Sequence, residues 1–300
     1  MNANSYNYHG CGLNIRSQIE CPELISGNST FPDIEIKWGK VPDSLPEIHG
    51  SSAVFQAMPN HFLLKINNIA NYLIADGNSI TVEPSPQADP NDVRIFLLGP
   101  AFGALLHQQG ILVINGSAIV VNGESIIFSG CSGAGKSTLT AALHQSGYRA
   151  FSDELCAISF SENQAVVHRE AKVIRLWEDS LVQLGLNPRA FERTRKNLKK
   201  YNYSIEQNES DVVPIKRLYF MEAEPVSDFT IETVEGMEKT SILLLSTYHR
   251  RYIDGLGIKR EHFQQCNELS KRISIKKIIR PSDYFLLKEL TNYVRNDLKK

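Results

Sequence analysis

Apolar and polar residues alternate in short bursts through the first third of the chain. Ile34-Glu35-Ile36-Lys37-Trp38, His61-Phe62-Leu63-Leu64-Lys65-Ile66, Asn71-Tyr72-Leu73-Ile74-Ala75 and Ser79-Ile80-Thr81-Val82 are separated by Gly, Pro and Asn. This pattern predicts β-strands. The run Glu83 to Asp92 contains Pro84, Pro86 and Pro90, so it predicts neither helix nor central strand and reads as a boundary. From Val93 to Gln109 the period lengthens. Val93, Phe96, Leu97, Ala101, Ala104 and Leu105 take helical spacing around an interruption at Gly99-Pro100. The pattern thus predicts a β-rich region over 1–92 and a second domain over 93–300.

Within that second domain, Ile111 to Asn115, Ala118 to Val121 and Ser125 to Phe128 read as three strands. The last two are joined by Asn122-Gly123-Glu124, and Asn-Gly between apolar runs is a strong hairpin signal because both residues tolerate positive φ. Helix-compatible residues follow from Thr138 to Ser146, and a strand is expected over Gly147 to Ile158. Further strands are expected at Arg217–Met221, Phe229–Val234 and Ser274–Ile279. Helices are expected within 178–210, over Lys239 to Tyr252, and from Ser282 to Leu298, where Ser282 is a candidate cap and Tyr284, Leu287, Leu290 and Tyr293-Val294 form a stripe.

Composition narrows the function classes. At 300 residues the chain can bury a large core. Its net charge of −1 argues against a general nucleic-acid or membrane-surface binder. No apolar run approaches the length of a membrane span. The N-terminal residues have neither the basic start nor the apolar core of a secretory signal. Five scattered cysteines without C-x-x-C spacing fit reduced thiols, and a cytoplasmic location is expected.

The chemistry concentrates in Gly130-Cys131-Ser132-Gly133-Ala134-Gly135-Lys136-Ser137-Thr138, which satisfies G-x-x-x-x-G-K-[ST]. Glycines let the backbone curl so that successive N–H groups point at phosphates. Lys136 reaches the β/γ oxygens, and the hydroxyl of Ser137 is placed to hold Mg²⁺. The following helix puts those phosphates at its positive end. Cys131 inside the loop is a candidate for alkylation, or simply a small loop residue. Downstream, Ser152-Asp153-Glu154-Leu155 carries two adjacent acids, read either as catalytic groups or as solvated acids at a strand end. Alternation sends them to opposite sides unless the backbone turns there.

The span Leu105 to Ile158 resembles the catalytic domain of HPr kinase/phosphorylase, and more closely the shorter HPr-kinase-like serine kinases. The marks are the hairpin entering the loop, then Gly147-Tyr148, then Ser152-Asp153-Glu154-Leu155. The resemblance implies an α/β fold with a P-loop kinase core related to phosphoenolpyruvate carboxykinase. It implies ATP and Mg²⁺ as cofactors, Asp153 and Lys136 as catalytic residues, and Asp153 as base towards a serine hydroxyl. Gly130, Ser132, Gly133, Ala134, Gly135, Lys136, Ser137 and Thr138 would bind the nucleotide. Ser137 and Glu154 would serve the metal. Asn115-Gly116-Ser117 departs from the family, which has His at the first position, and Asn cannot titrate near neutral pH. With Lys172 and Arg175, Asn115 is the candidate substrate set, although the two cations read equally as a basic strand edge.

The acceptor implied is a serine on a peptide or small protein, as in kinases that tailor lasso-peptide precursors. A small-molecule hydroxyl kinase and a nucleotide-binding regulator with little catalysis are the alternatives. The basic run Arg189 to Lys200 is expected in a helix, and reads either as a dock for an acidic peptide or protein substrate, or as a solvated helix face or mobile loop. The partners expected are that substrate and no nucleic acid or membrane, with a homo-oligomer left open.

Overall fold

The structure is a computed structural model that describes residues 5–205, 210–282 and 286–299. The chain forms two compact units, one comprising the residues up to Val113 together with Tyr248–Gln265, the other Ile114–Thr247 with Cys266–Lys300.

The first unit is built on a nine-stranded sheet. Its order is Ile25–Ser26, Tyr6–Gly10, Leu13–Ser17, Ile34–Trp38, Ser79–Pro84, Ala70–Ala75, His61–Ile66, Phe55–Met58, Gly50–Ser51. Each strand predicted from alternation is present. Ile34–Trp38 pairs in parallel with both of its neighbours, and the remaining pairings are antiparallel. The expected boundary run behaves differently from its composition. Asp89 accepts a hydrogen bond from the Asn91 N–H at 3.0 Å and caps a helix over Pro90–Phe96, with proline at the helix start where its missing N–H costs nothing. That helix continues through a π-helical turn at Leu97–Ala101, which absorbs Pro100, into Phe102–Gln108. These turns are fastened to the sheet by Tyr72, whose hydroxyl donates to the Val93 carbonyl at 2.9 Å, and by Gln109, which donates to the Gly77 carbonyl at 2.7 Å. The segment 93–113 therefore associates with the first unit, where the sequence reading set the division at 92.

The second unit holds a seven-stranded mixed sheet in the order Glu124–Gly130, Leu112–Val121, Arg149–Phe160, Ala165–His168, Val212–Glu224, Ser274–Pro281, Thr230–Val234. The expected strands at 111–115 and 118–121 are one continuous strand. It turns at Asn122 and Gly123, whose φ values of 51° and 81° are those the hairpin requires. Glu124–Gly130 also pairs in parallel with Val212–Glu224, placing Gly130 opposite Met221. A small ribbon, Val173–Trp177 with Lys200–Ser204, stands apart from this sheet.

Three expected helices are corrected. The basic run 189–200 is no helix. Asn187 caps a short 3-10 turn at Pro188–Ala190, and the end of the run is drawn into the ribbon, where the Glu178 N–H donates to the Lys199 carbonyl at 2.8 Å. The helix expected over 239–252 is Met237–Leu245 followed by Arg251–Leu256, because Thr247 leaves the helical path to bridge Ile114. The final helix is Leu287–Leu298 with Leu286 at its N-cap position, so Ser282 does not cap it. Tyr284 lies outside the described residues.

Candidate functional site

The strand Glu124–Gly130 delivers the chain into the glycine loop, and the helix Lys136–Gln145 carries it away. Only glycine fits at position 130. Its φ is 138°, and a Cβ there would collide with the Met221 carbonyl oxygen. Gly135 takes a left-handed φ of 97° immediately before the helix, so the loop reverses direction at the helix N-terminus. Apolar packing holds the helix on two sides. Leu139 and Leu143 enter a core with Phe128, Tyr219, Met221 and Ile278. Ala141 packs into a second core with Ile174, Leu176, Leu181 and Tyr201. Both cores are buried, so the loop is framed by rigid elements.

Around that loop, side chains converge from four segments. Lys136 Nζ donates to the carbonyls of Gly130 and Cys131 at 2.9 and 3.0 Å. Ser137 Oγ donates to Asp153 Oδ1 at 2.7 Å, and Ser117 Oγ donates to the same oxygen at 2.6 Å. The Arg175 N–H donates to Asp153 Oδ2 at 3.0 Å. The buried Asp153 carboxylate is therefore oriented by two hydroxyls and one amide.

Glu154 follows Asp153 but does not point away from the site as strict alternation requires. Its φ of 72° is left-handed, a conformation that costs a non-glycine residue roughly 1–2 kcal/mol. The turn brings its carboxylate to the Arg175 guanidinium at 3.0 Å and to Lys200 Nζ at 3.2 Å. Adjacent acids thus engage the two ends of one residue, Arg175. Burial alone would push the Glu154 carboxyl up, yet the charges of Arg175 and Lys200 outweigh it and hold it below the ordinary value. Burial lowers the Lys136 ammonium, an effect that the neighbouring Asp153 and Glu154 partly offset. A third acid, Glu170, is buried nearby and accepts a bond from the Leu155 N–H at 3.2 Å. Burial raises its carboxyl well above the ordinary value despite the Arg175 charge.

The structure brings Lys136, Ser137, Asp153, Glu154 and Arg175 together. Thr138 turns aside, its hydroxyl within 2.8 Å of the Ser180 hydroxyl, so only its backbone belongs to the loop. Asn115 precedes Gly116, which pairs with Ser129 at the mouth of the loop, and its carbonyl accepts from Ser129 Oγ at 2.8 Å. Lys172 accepts a backbone bond from Ile205 at 2.9 Å. Among the described residues its side chain takes no part in the bonds around the acids. Ser117, Glu170 and Lys200 escaped the sequence reading of the site. The only signal for Ser117 was its place two residues past the departing Asn115; Lys200 was visible only as the end of a basic run.

Among the described residues no three His, Cys, Asp or Glu side chains are grouped to hold a metal on their own. No described helix is long and apolar enough to cross a membrane. No family model matches the chain, and no curated protein matches it in sequence. Among solved structures it is similar to that of the Hpr(Ser) kinase/phosphatase from Coxiella burnetii, with 14% identity and a TM-score of 0.33, over 62% of this chain and 95% of that one.

Proposed function

We propose that this chain is an ATP-dependent phosphotransferase acting on a serine hydroxyl of a peptide or small protein, and that it works in the cytoplasm. The observation that carries the reading is the bond from Ser137 to Asp153, which couples a phosphate-binding loop to a buried, oriented carboxylate. Phosphoryl transfer passes through a loose transition state, so the protein mainly positions groups and stabilises charge. The loop amides between Gly130 and Thr138 suit the phosphates of ATP, because they sit at a helix N-terminus and carry the glycines a nest needs.

The donor set also suits Mg²⁺, which usually takes only one or two carboxylates and completes its shell with phosphate and water. Ser137 and Glu154 would hold it; when bound, the ion neutralises charge developing on the phosphates. Lys136 would leave the loop carbonyls for the β/γ oxygens. Asp153 accepts two bonds on Oδ1 and one on Oδ2. A carboxylate has about four acceptor positions. One therefore remains on Oδ2 for the proton of the acceptor hydroxyl, the role of general base.

Asn115 favours a second reading, a nucleotide-binding regulator with little catalysis, because an amide cannot supply a titratable proton beside the loop. Turnover of MgATP with serine peptides, compared between the parent and Asp153→Asn, separates the two readings. Phosphopeptide formed by the parent and lost in the variant supports the kinase; tight MgATP binding with no phosphorylated product supports the regulator.

A further inference from the structure

The carbonyls of the phosphate loop are held by two cations, and only one of them belongs to the loop. Lys136 takes those of Gly130 and Cys131. Arg280 takes the next pair, Nε donating to the Ala134 carbonyl at 3.2 Å and Nη2 to the Gly133 carbonyl at 3.3 Å, while Nη1 is tied to the Pro281 carbonyl at 2.9 Å. Arg280 is buried at 8% exposure and lies near the end of the strand Ser274–Pro281, opposite Ala223 of Val212–Glu224. That second strand is the parallel partner of Glu124–Gly130, which feeds the loop. The guanidinium is thus delivered from two strands away.

A peptide unit whose carbonyl is fixed on one side has its N–H directed to the other. The Gly133 and Ala134 carbonyls precede the N–H groups of Ala134 and Gly135, which lie just before Lys136. The N–H of Ala134 is internally engaged, donating to the Cys131 carbonyl at 3.1 Å. A guanidinium that clamps both carbonyls also sets a fixed positive charge beside the loop. It cannot follow the phosphates as the flexible Lys136 can.

We infer that Arg280 is a positioning residue of the phosphate site, holding the Ala134–Gly135 peptide so that the Gly135 N–H faces an anion, fixing the Gly133 carbonyl beside it, and serving with Lys136 as the loop's second cation. The inference rests on the phosphate-loop reading. Lys136 meets the phosphates directly, whereas Arg280 acts through the loop.

Calorimetric titration of the full chain with MgATP, and separately with pyrophosphate, tests this in the parent, Arg280→Gln, Arg280→Lys and Lys136→Ala at low and high salt. Loss of a charge-assisted bond of this kind predicts about tenfold weaker binding of both probes by Arg280→Gln. It also predicts a shallower salt dependence of affinity, which a loss of packing alone would not produce. Arg280→Lys keeps the charge but not the fork, and should bind about threefold more weakly than the parent. The inference is overturned if Arg280→Gln binds within about twofold of the parent while Lys136→Ala loses the probes. If neither substitution alters binding, the phosphate-loop reading itself has failed. Should Arg280→Gln not fold, Arg280→Lys decides, since parent affinity in that variant overturns the inference and weakened affinity at parent Tm supports it.

Discussion

Ser137 Oγ donates to Asp153 Oδ1 at 2.7 Å, joining the first turn of the loop helix to the strand beside it. The same oxygen accepts from Ser117 at 2.6 Å. The carboxylate is therefore positioned by groups that do not depend on its charge, and exchanging it for an amide should leave the loop in place. A general base contributes on the order of 10²–10⁴-fold. Asp153→Asn is expected to depress turnover by that order while MgATP affinity, read by calorimetry, stays close to the parent. Unchanged turnover would remove Asp153 from the role of base.

Glu154 accepts a strained backbone in exchange for two ion pairs. Both Glu154→Ala and Glu154→Gly lose the pairs, but only glycine relieves the positive φ. Glu154→Gly should therefore be the more stable of the two by about 1 kcal/mol in denaturant unfolding. Equal stability would show that the left-handed turn costs nothing.

Much of this arrangement is legible in the sequence, and the remainder has identifiable physical causes. The loop is fixed by glycines at close backbone approaches, and the hairpin by Asn122-Gly123, so local chemistry reveals both. The partners of the acids are not local. Arg175 reaches Asp153 across 22 residues and Ser117 across 36, through strand pairing that no short window contains. The turn at Glu154 is held by ion pairs rather than by a residue type that favours positive φ, so composition gave no sign of it. Charge on the run 189–200 is compatible with a dock, a solvated helix or a loop alike, and the pairing of Lys200–Ser204 with Val173–Trp177 draws its end into a strand.

Glu170 gives the second unit a distinctive pH dependence. Its folded carboxyl lies well above the ordinary 4.5, because burial disfavours the charged form. The folded state then holds the proton more tightly than the unfolded chain. The stability this confers is complete below the unfolded value and is lost as pH rises towards the folded one. Glu170→Gln stays neutral throughout. Its stability relative to the parent should therefore grow as pH rises above the unfolded value of 4.5, measured by denaturant unfolding. A parallel pair of stability curves would contradict the assignment.

Gly130 leaves no room for a side chain. Gly130→Ala must move either the Met221 carbonyl or the loop, in a backbone conformation that alanine disfavours. A loss of about 2 kcal/mol or more in unfolding free energy, together with weaker MgATP binding, is expected. Parent stability in this variant would mean that the approach to Met221 is looser than described.

The central claim is phosphoryl transfer at the Lys136–Ser137–Asp153 site. It is tested most directly by incubating the parent, Lys136→Ala and Asp153→Asn with γ-labelled ATP, Mg²⁺ and serine-bearing peptides, with phosphate on the peptide located by mass spectrometry. The predicted result is labelled phosphoserine with the parent, none with Lys136→Ala, and a strongly reduced yield with Asp153→Asn. Equal labelling by all three proteins, or MgATP bound tightly by the parent with label transferred to none of the peptides, would contradict it.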